Sequence, residues 1–177
     1  MKIVPYTFPF GRLLATLMLV LHSAVAALAG DKPVPVTVQN FVRAETDLYF
    51  GRFVQQKGFG KFGGSGEVTP IDKQDVVRMN RDTIYSSGVF DLDAGAVTIT
   101  LPDAGKRFMS MQVISQDHYT LEVTYTPGPH RYTKEQAGTR YLFALVRIVA
   151  NSGDAADVKT ANALLNSIKA EQGATGK

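Results

Sequence analysis

One short run of the chain, RMNRDTIYSSGVFDLDAG from Arg78 to Gly95, concentrates side chains that form strong hydrogen bonds. The polar residues around the start of the strand that follows are Asn80, Arg81, Thr83 and Tyr85. Their four different polar groups could together hold a ligand that bears a carboxylate. Turn chemistry explains part of the same run, because the side chains of Asn80 and Asp82 can bond to nearby backbone groups. The run therefore supports two interpretations, a ligand-binding patch and a turn that starts a strand.

Three polar residues further along the chain are candidates for catalysis: His118, Ser110 and Glu122. If the run DHYTLEV is a strand, His118 and Glu122 lie on the same face, because their separation is even. One histidine and one carboxylate make half of a metal site at best, since catalytic zinc ordinarily has three protein ligands. We therefore predict no metal site and no cofactor.

His118 could instead be the catalytic base of a serine hydrolase. The candidate nucleophiles are Ser86, Ser87 and Ser110, and the candidate residues to orient His118 are Asp91 and Asp117. None of these serines lies in a GxSxG motif, in which a sharp turn exposes the hydroxyl. Catalytic triads are defined by geometry rather than by order along the chain, so the sequence leaves this alternative open.

The full ligand-binding prediction joins the polar patch to residues on later segments of the chain. Its members are Asn80, Arg81, Thr83, Tyr85, Gln112, His118 and Arg140. The other aromatic residues on alternating strand positions are predicted to pack in the core, which is the usual place for such side chains. They are Phe108, Tyr119, Tyr125, Tyr141 and Phe143.

The segment after residue 57 contains a literal GxGxxG, formed by Gly58, Gly60 and Gly63. A dinucleotide site needs a strand before this motif and a helix after it, so that a phosphate meets the N-terminus of the helix. Here a helical pattern precedes the motif and Pro70 follows it, so nucleotide binding is not predicted. We expect instead a flexible loop near the mouth of a site.

The first 29 residues have the pattern of a secretory signal peptide: a charged start, a short apolar run from Leu13 to Leu21, and small residues up to Ala29. The apolar run is shorter than the roughly 20 residues of a membrane-spanning helix. We therefore expect cleavage after Ala29, a periplasmic location, and no stable membrane anchor after cleavage. Residues 30–177 would then form a single domain.

Charge and cysteine content exclude further classes of protein. The leader contains two of the 19 basic side chains and none of the 16 acidic ones, so the remaining chain is nearly neutral. No stripe of lysine and arginine is present to neutralise phosphates, and nucleic-acid binding is not predicted. The chain has no cysteine, which excludes thiol nucleophiles and thiolate metal sites.

The residue pattern predicts antiparallel β-sheets between two helices. A helix from Thr37, its cap, to Gly58 would bury Val38, Phe41, Val42, Leu48, Tyr49 and Phe53. Period-two runs then predict four strands: 97–101, 107–114, 118–125 and 140–150. A second helix would begin near Asp154 and end before a frayed tail, EQGATGK. This order of elements favours an antiparallel β-sandwich with flanking helices.

Taken together, the NFVRAETDLYFG helix, the approach PIDKQDVVRMNRDT and the run from Asn80 to Thr120 resemble the signature of DUF1254, a family of unknown function. The resemblance extends from about Val38 to Ile168. It implies a β-sandwich of jelly-roll character that is often exported and is sometimes joined to a second β domain. It implies no established reaction and no catalytic residues.

Three hypotheses of function follow. The first is a periplasmic module that binds a small molecule or assists another protein, without catalysis. The second is a small hydrolase or metal-assisted enzyme that uses His118 with Ser110 or Glu122. The third is a structural or assembly protein that pairs with a second β domain or with another copy of itself.

Overall fold

The computed structural model of the chain describes residues 33–56, 58–72 and 77–177. The chain divides into two compact units, Met1–Val36 and Thr37–Lys177. In the first unit, the described residues 33–36 are exposed and have no regular secondary structure. The helices and strands described below all belong to the second unit. The predicted signal peptide, residues 1–29, lies outside the described residues.

Helix α1 runs from Phe41 to Gln55 and begins later than predicted. Asn40 occupies the N-cap position, and its side-chain oxygen accepts a hydrogen bond from the backbone N–H of Thr37 at 2.7 Å. The prediction that Thr37 caps the helix is therefore wrong. Gly51 lies within the helix and has open space around the position that a Cβ would occupy.

The buried side of α1 is not the side that the apolar pattern predicts. Its buried residues are Thr46 and Phe50, and Phe53 is half-buried. The exposed residues include most of the predicted apolar face: Val38, Phe41, Val42, Leu48 and Tyr49. The orientation follows from two aromatic contacts, because the rings of Phe50 and Phe53 both pack on Phe143 of a later strand.

The strands form two antiparallel sheets. The strands are β1 (Thr83–Asp91), β2 (Val97–Leu101), β3 (Met109–Ser115), β4 (Thr120–Thr124), β5 (Gly128–Tyr132), β6 (Tyr141–Val149) and β7 (Lys169–Gln172). The strand order is β1-β6-β3-β4 in the first sheet and β5-β2-β7 in the second sheet. A 3-10 turn (Leu92–Ala94), helix α2 (Lys134–Ala137) and helix α3 (Ala155–Asn166) complete the described elements. The prediction of a mainly β fold with helices is confirmed, and the β-sandwich with jelly-roll connectivity stays a prediction.

One apolar core is shared by the two sheets and α3. Ile84 and Phe90 of β1 and four residues of β6 face it from the first sheet, and β2 contributes Val97, Ile99 and Leu101 from the second. The β6 residues are those predicted: Leu142, Ala144, Val146 and Ile148, all fully buried. Alternation then turns the intervening residues of β1, β3 and β6 to the opposite side of the first sheet, which we call the outer face.

The glycine-rich segment pairs with the free edge of β1. Gly58 and Gly60 exchange backbone hydrogen bonds with Val89 at 2.7 and 2.8 Å, and Gly63 exchanges two with Ser87 at 2.8 Å. Gly64 approaches β1 so closely that a Cβ would lie 2.3 Å from the carbonyl oxygen of Tyr85. The segment therefore acts as an irregular extra strand, and the absence of side chains lets the two backbones meet.

Two strands differ from the prediction. Strand β5 lies between two predicted strands, where no strand was predicted, and it pairs with β2 from Leu101–Gly128 to Val97–Tyr132. Strand β7 extends into the tail that was expected to fray, and it pairs with the other edge of β2. Pro129 has no backbone N–H, and it is accommodated because β5 is an edge strand.

Candidate functional site

A cleft of about 410 Å³ lies between α1 and the outer face. We call it the α1 cleft. Its lining residues are Asp47, Phe50, Gly51 and Val54 of the helix, Phe59 and Val89 at the β1 edge, and Gln116, Tyr141 and Lys177. Most of these side chains are apolar, and the polar groups are few, which is typical of sites for small molecules.

Aromatic packing holds the C-terminal half of α1 against the sheet. The ring centroid of Phe143 lies 5.4 Å from that of Phe50 and 4.6 Å from that of Phe53. Val89 is buried in the same cluster, with Ile114 and Leu145 packed around it. Within this cluster, Phe50, Phe59 and Val89 form the apolar floor of the cleft.

Polar contacts hold the N-terminal half of α1, and they come from three consecutive residues of the β3–β4 turn. Gln116 donates to Asp47 at 2.7 Å. Asp117 pairs with Arg43 at 2.5 Å, and Nδ1 of His118 lies 3.1 Å from the hydroxyl of Thr46. Residues 43, 46 and 47 share one side of the helix because of its 3.6-residue period. The turn therefore positions the helix over the cleft.

Gln116 also fixes the polar end of the cleft. Its side-chain oxygen accepts a hydrogen bond from the backbone N–H of Tyr141 at 3.0 Å, while its amide nitrogen donates to Asp47. The hydroxyl of Tyr141 donates to the backbone oxygen of Lys177 at 2.7 Å. The guanidinium of Arg140 lies over the ring of Tyr141, 4.9 Å from its centroid. A ligand in the cleft would meet a carboxylate, an amide and a phenol at this end.

Beside this polar end, Asp91 and Arg140 form a two-bond ion pair. Nε of Arg140 donates to Oδ1 of Asp91 at 3.0 Å, and a terminal nitrogen donates to Oδ2 at 2.7 Å. The hydrogen bonds from Arg140 hold the pKa of the Asp91 carboxyl at about 2, below its ordinary 3.8, although burial acts in the opposite direction. Asp91 also accepts from the backbone N–H of Asp93, as expected for a turn residue. Arg140 is thus engaged with a buried acid.

The structure does not bring His118, Ser110 and Glu122 together. His118 lies in the β3–β4 turn with φ of 65°, and β4 begins only at Thr120. The expectation that His118 and Glu122 share one face of a strand is therefore wrong. Ser110 lies near the opposite end of β3, roughly 16 Å from the turn at about 3.3 Å per residue.

Glu122 lies on the inner side of β4, where it contacts two residues of β5. Its carboxylate accepts a hydrogen bond from the hydroxyl of Tyr132 at 2.7 Å and lies 3.2 Å from Nδ1 of His130. Burial raises the pKa of the Tyr132 hydroxyl, and the bond to Glu122 raises it further. These contacts join the edge strands of the two sheets.

The predicted ligand-binding residues are spread along the first sheet from one end to the other. Thr83, Tyr85 and Gln112 lie on the outer face, with Thr83 and Tyr85 at the start of β1. Asn80 and Arg81 are exposed in the segment before β1, where Asp82 accepts a hydrogen bond from Thr83. His118 and Arg140 lie at the other end, beside the α1 cleft. Their roles as ligand-binding residues stay predictions.

The aromatic residues on the outer face are less buried than predicted. Phe108, Tyr119 and Tyr125 are 51%, 72% and 62% exposed, so the prediction that they are core residues is wrong. Helix α1 covers the part of the outer face around Phe143, whereas Phe108 before β3 and Val123 of β4 stay exposed.

Three residues with notable positions in the structure were not among the predicted site residues: Asp47, Gln116 and Arg147. Asp47 and Gln116 carried no local signal, since their contact joins segments far apart in the chain. Arg147 did carry a signal in the sequence, because it is a charged residue within the otherwise apolar run YLFALVRIVA.

Within the described residues, no group of three or more metal-ligating side chains is close enough to hold an ion, and no helix is long and apolar enough to cross a membrane.

The part of the chain from the glycine-rich segment to α2 matches a known family model. The match covers residues 60–137, less than half of the chain. The family is DUF1254. It is described as a protein of unknown function, so the resemblance predicted from the sequence is confirmed without assigning an activity. The DUF1254 match includes Val89 and Gln116 of the α1 cleft, whereas Asp47 and Tyr141 lie outside it.

A solved structure shows the same type of fold. The crystal structure of the VPA0106 protein from Vibrio parahaemolyticus is similar with a TM-score of 0.56 and 15% sequence identity. The match covers 74% of this chain and 35% of that protein, so this chain spans about a third of its length. At this identity the likeness concerns the fold alone. No curated protein matched the chain.

Proposed function

We propose that this DUF1254-like chain is an exported binding module that holds a small, largely apolar molecule in the α1 cleft. The observation that carries the proposal is the cleft itself, whose volume of about 410 Å³ falls in the range of roughly 300–1,000 Å³ typical of small-molecule sites. Its apolar floor would bury the body of the ligand, and burial of apolar surface would supply most of the affinity.

The polar end of the cleft would orient such a ligand. Asp47 and the hydroxyl of Tyr141 stand beside the apolar floor, and Gln116 bridges the segments that bear them. Because the bridge fixes these groups before a ligand arrives, little conformational entropy would be lost on binding. A neutral molecule with one hydrogen-bonding group at its end fits this arrangement.

Gly51 offers a direct test, because it lines the cleft and has open space where a side chain would project. Gly51→Leu should fill the cleft and also stabilise α1 by up to about 1 kcal/mol, since glycine is a poor helix former. We expect the neutral fluorophore N-phenyl-1-naphthylamine to bind the wild-type chain saturably and to bind Gly51→Leu at least tenfold more weakly. Fluorescence titration and urea unfolding measure the two effects.

The matched control for this test is Gln55→Leu, which adds the same side chain at an exposed helix position outside the cleft lining. This variant should bind the fluorophore like the wild-type chain. Equal binding by wild type and Gly51→Leu would place the fluorophore elsewhere and contradict the proposal. Since Gly51→Leu is expected to be the more stable protein, unfolding could not account for a loss of binding.

Export rests on the leader pattern of residues 1–29. The full chain, expressed in a Gram-negative host, should be recovered from the periplasmic fraction with Gly30 as its first residue. Mass spectrometry of the purified protein measures this directly. A chain that keeps its first 29 residues and stays in the cytoplasm would contradict export, but it would leave the cleft proposal untouched.

A further inference from the structure

We propose that the outer face carries a second binding site, separate from the α1 cleft, for a small carboxylate with an apolar body. The site is centred on Arg147 of β6, with Ser110 and Tyr85 on either side. This inference does not depend on the proposed function of the cleft.

Strand register places the three residues in one row. Arg147 is the direct cross-strand partner of Tyr85 in β1 and of Ser110 in β3. Directly opposed residues of antiparallel strands have Cβ atoms about 4.5–5.5 Å apart and project from the same face. The side chains of Tyr85, Arg147 and Ser110 are therefore neighbours at one end of the sheet.

Arg147 has no acidic partner among the residues that the structure describes. Its Nε is buried and makes no hydrogen bond. Three other arginines of the same unit do have acidic partners: Arg43, Arg107 and Arg140 each pair with an aspartate. A cation that is partly removed from water and left without a counter-charge is costly, and a bound anion would offset that cost.

Ser110 supplies an independent observation. It is 1% exposed, and its hydroxyl oxygen is buried without a hydrogen-bond partner in the described part of the chain. A buried hydroxyl is ordinarily bonded, because leaving it unbonded costs about 1–3 kcal/mol. Two neighbouring buried polar atoms without partners, one on a cation and one on a hydroxyl, point to the same missing group, an acceptor that carries negative charge.

The surroundings of the row indicate what kind of anion fits. Exposed apolar side chains flank it on the outer face: Phe108, Val123, Tyr125 and Val149. The rings of Phe108 and Tyr125 contact each other with centroids 5.8 Å apart. Arginine binds carboxylates through two parallel N–H bonds, and the apolar neighbours would cover a hydrocarbon or aromatic body. An aromatic monocarboxylate satisfies both requirements.

This site lies at the opposite end of β6 from the cleft. Tyr141, which lines the cleft, is six residues from Arg147 along the strand, a separation of roughly 20 Å at about 3.3 Å per residue. A small ligand could not span both sites, so variants at one site should leave the other unchanged.

Benzoate is the probe for the test, with benzyl alcohol as its uncharged counterpart and acetate as its counterpart without an apolar body. Calorimetric titration at fixed ionic strength should show saturable benzoate binding to the wild-type chain, at least tenfold tighter than the binding of benzyl alcohol or acetate. In ¹⁵N-labelled protein, the Nε–H resonance of Arg147 should shift on addition of benzoate, which reports the contact itself.

Three variants complete the experiment. Arg147→Leu should lose benzoate binding by at least tenfold while its melting temperature stays unchanged or rises, because an unpaired cation is removed. Arg131→Leu, which removes an exposed arginine from β5 of the second sheet, and Gly51→Leu should both bind benzoate like the wild-type chain.

Some outcomes would overturn the proposal. Undiminished benzoate binding by Arg147→Leu, equal binding of benzoate and benzyl alcohol, or no saturable benzoate binding would each do so. A marked fall in the melting temperature of Arg147→Leu would show that Arg147 has a structural partner, and it would overturn the proposal as well.

Discussion

Phe143→Ala should destabilise the folded chain by about 3–5 kcal/mol, the usual cost of removing a buried aromatic ring from a core. Phe143 is 5% exposed and is the ring on which both Phe50 and Phe53 of α1 pack. Its loss would leave the C-terminal half of the helix without its aromatic contact and would remove the packing that holds Phe50 and Val89 of the cleft lining in place. Urea unfolding followed by circular dichroism measures the stability.

The same variant should lose binding of N-phenyl-1-naphthylamine under conditions in which it is still folded. Phe108→Ala is the matched control, because Phe108 lies on the same outer face but is 51% exposed. We expect the control to cost less than about 1 kcal/mol and to leave binding in the cleft unchanged, as surface substitutions usually do. A cost below about 1 kcal/mol for Phe143→Ala would mean that α1 is held mainly by its polar contacts.

Arg140→Ala should produce the second large effect, a loss of stability near pH 7 clearly larger than that from breaking an exposed ion pair, because it leaves the carboxylate of Asp91 without its counter-charge. The side chain of Asp91 is 2% exposed, whereas that of Arg140 is 41% exposed. Water can therefore replace part of the interaction, which lowers the expected cost. Arg43→Ala is the control, since the Arg43–Asp117 pair is exposed on both sides and should contribute about 0.2–1 kcal/mol.

The effect of Arg140→Ala should depend on pH in a defined direction. The pKa of Asp91 is about 2 in the folded chain and 3.8 as its ordinary value, so the folded state binds this proton less readily than the unfolded state. The ion pair therefore stabilises the fold fully above about pH 4, and that contribution is lost as the pH falls towards 2. The stability difference between wild type and Arg140→Ala should shrink over this interval, and a difference that stays constant would contradict the assignment.

The sequence predicted the regular parts of the fold because burial and alternation are locally coupled. Strand β2 has the predicted limits, and β6 turns the predicted side chains to the core. Helix α3 begins after Asp154, whose side chain accepts hydrogen bonds from the backbone N–H groups of Ala156 and Asp157. For β2, β6 and α3, the residues that predict the element lie within it or directly beside it.

The site was predicted less well, because it is made by contacts between distant segments. Whether Phe50 or Leu48 faces the sheet depends on Phe143, roughly ninety residues further along the chain, and the helix periodicity alone favoured the wrong side. His118 was predicted as a catalytic residue, but its partner Thr46 lies on α1 and makes it part of the helix contact. Strands β5 and β7 form because β2 offers an edge on each side.

The pairing of the glycine-rich segment with β1 has a consequence for the solution behaviour of the protein. Sheets that leave both outer strands free can add copies at either side and grow into fibrils. In the first sheet the β1 side is occupied by residues 58–63, so among the described strands of this sheet the edge left for a further strand is that of β4. Growth of this sheet would therefore end after one addition at β4, which protects the chain against end-to-end aggregation through its longest strands.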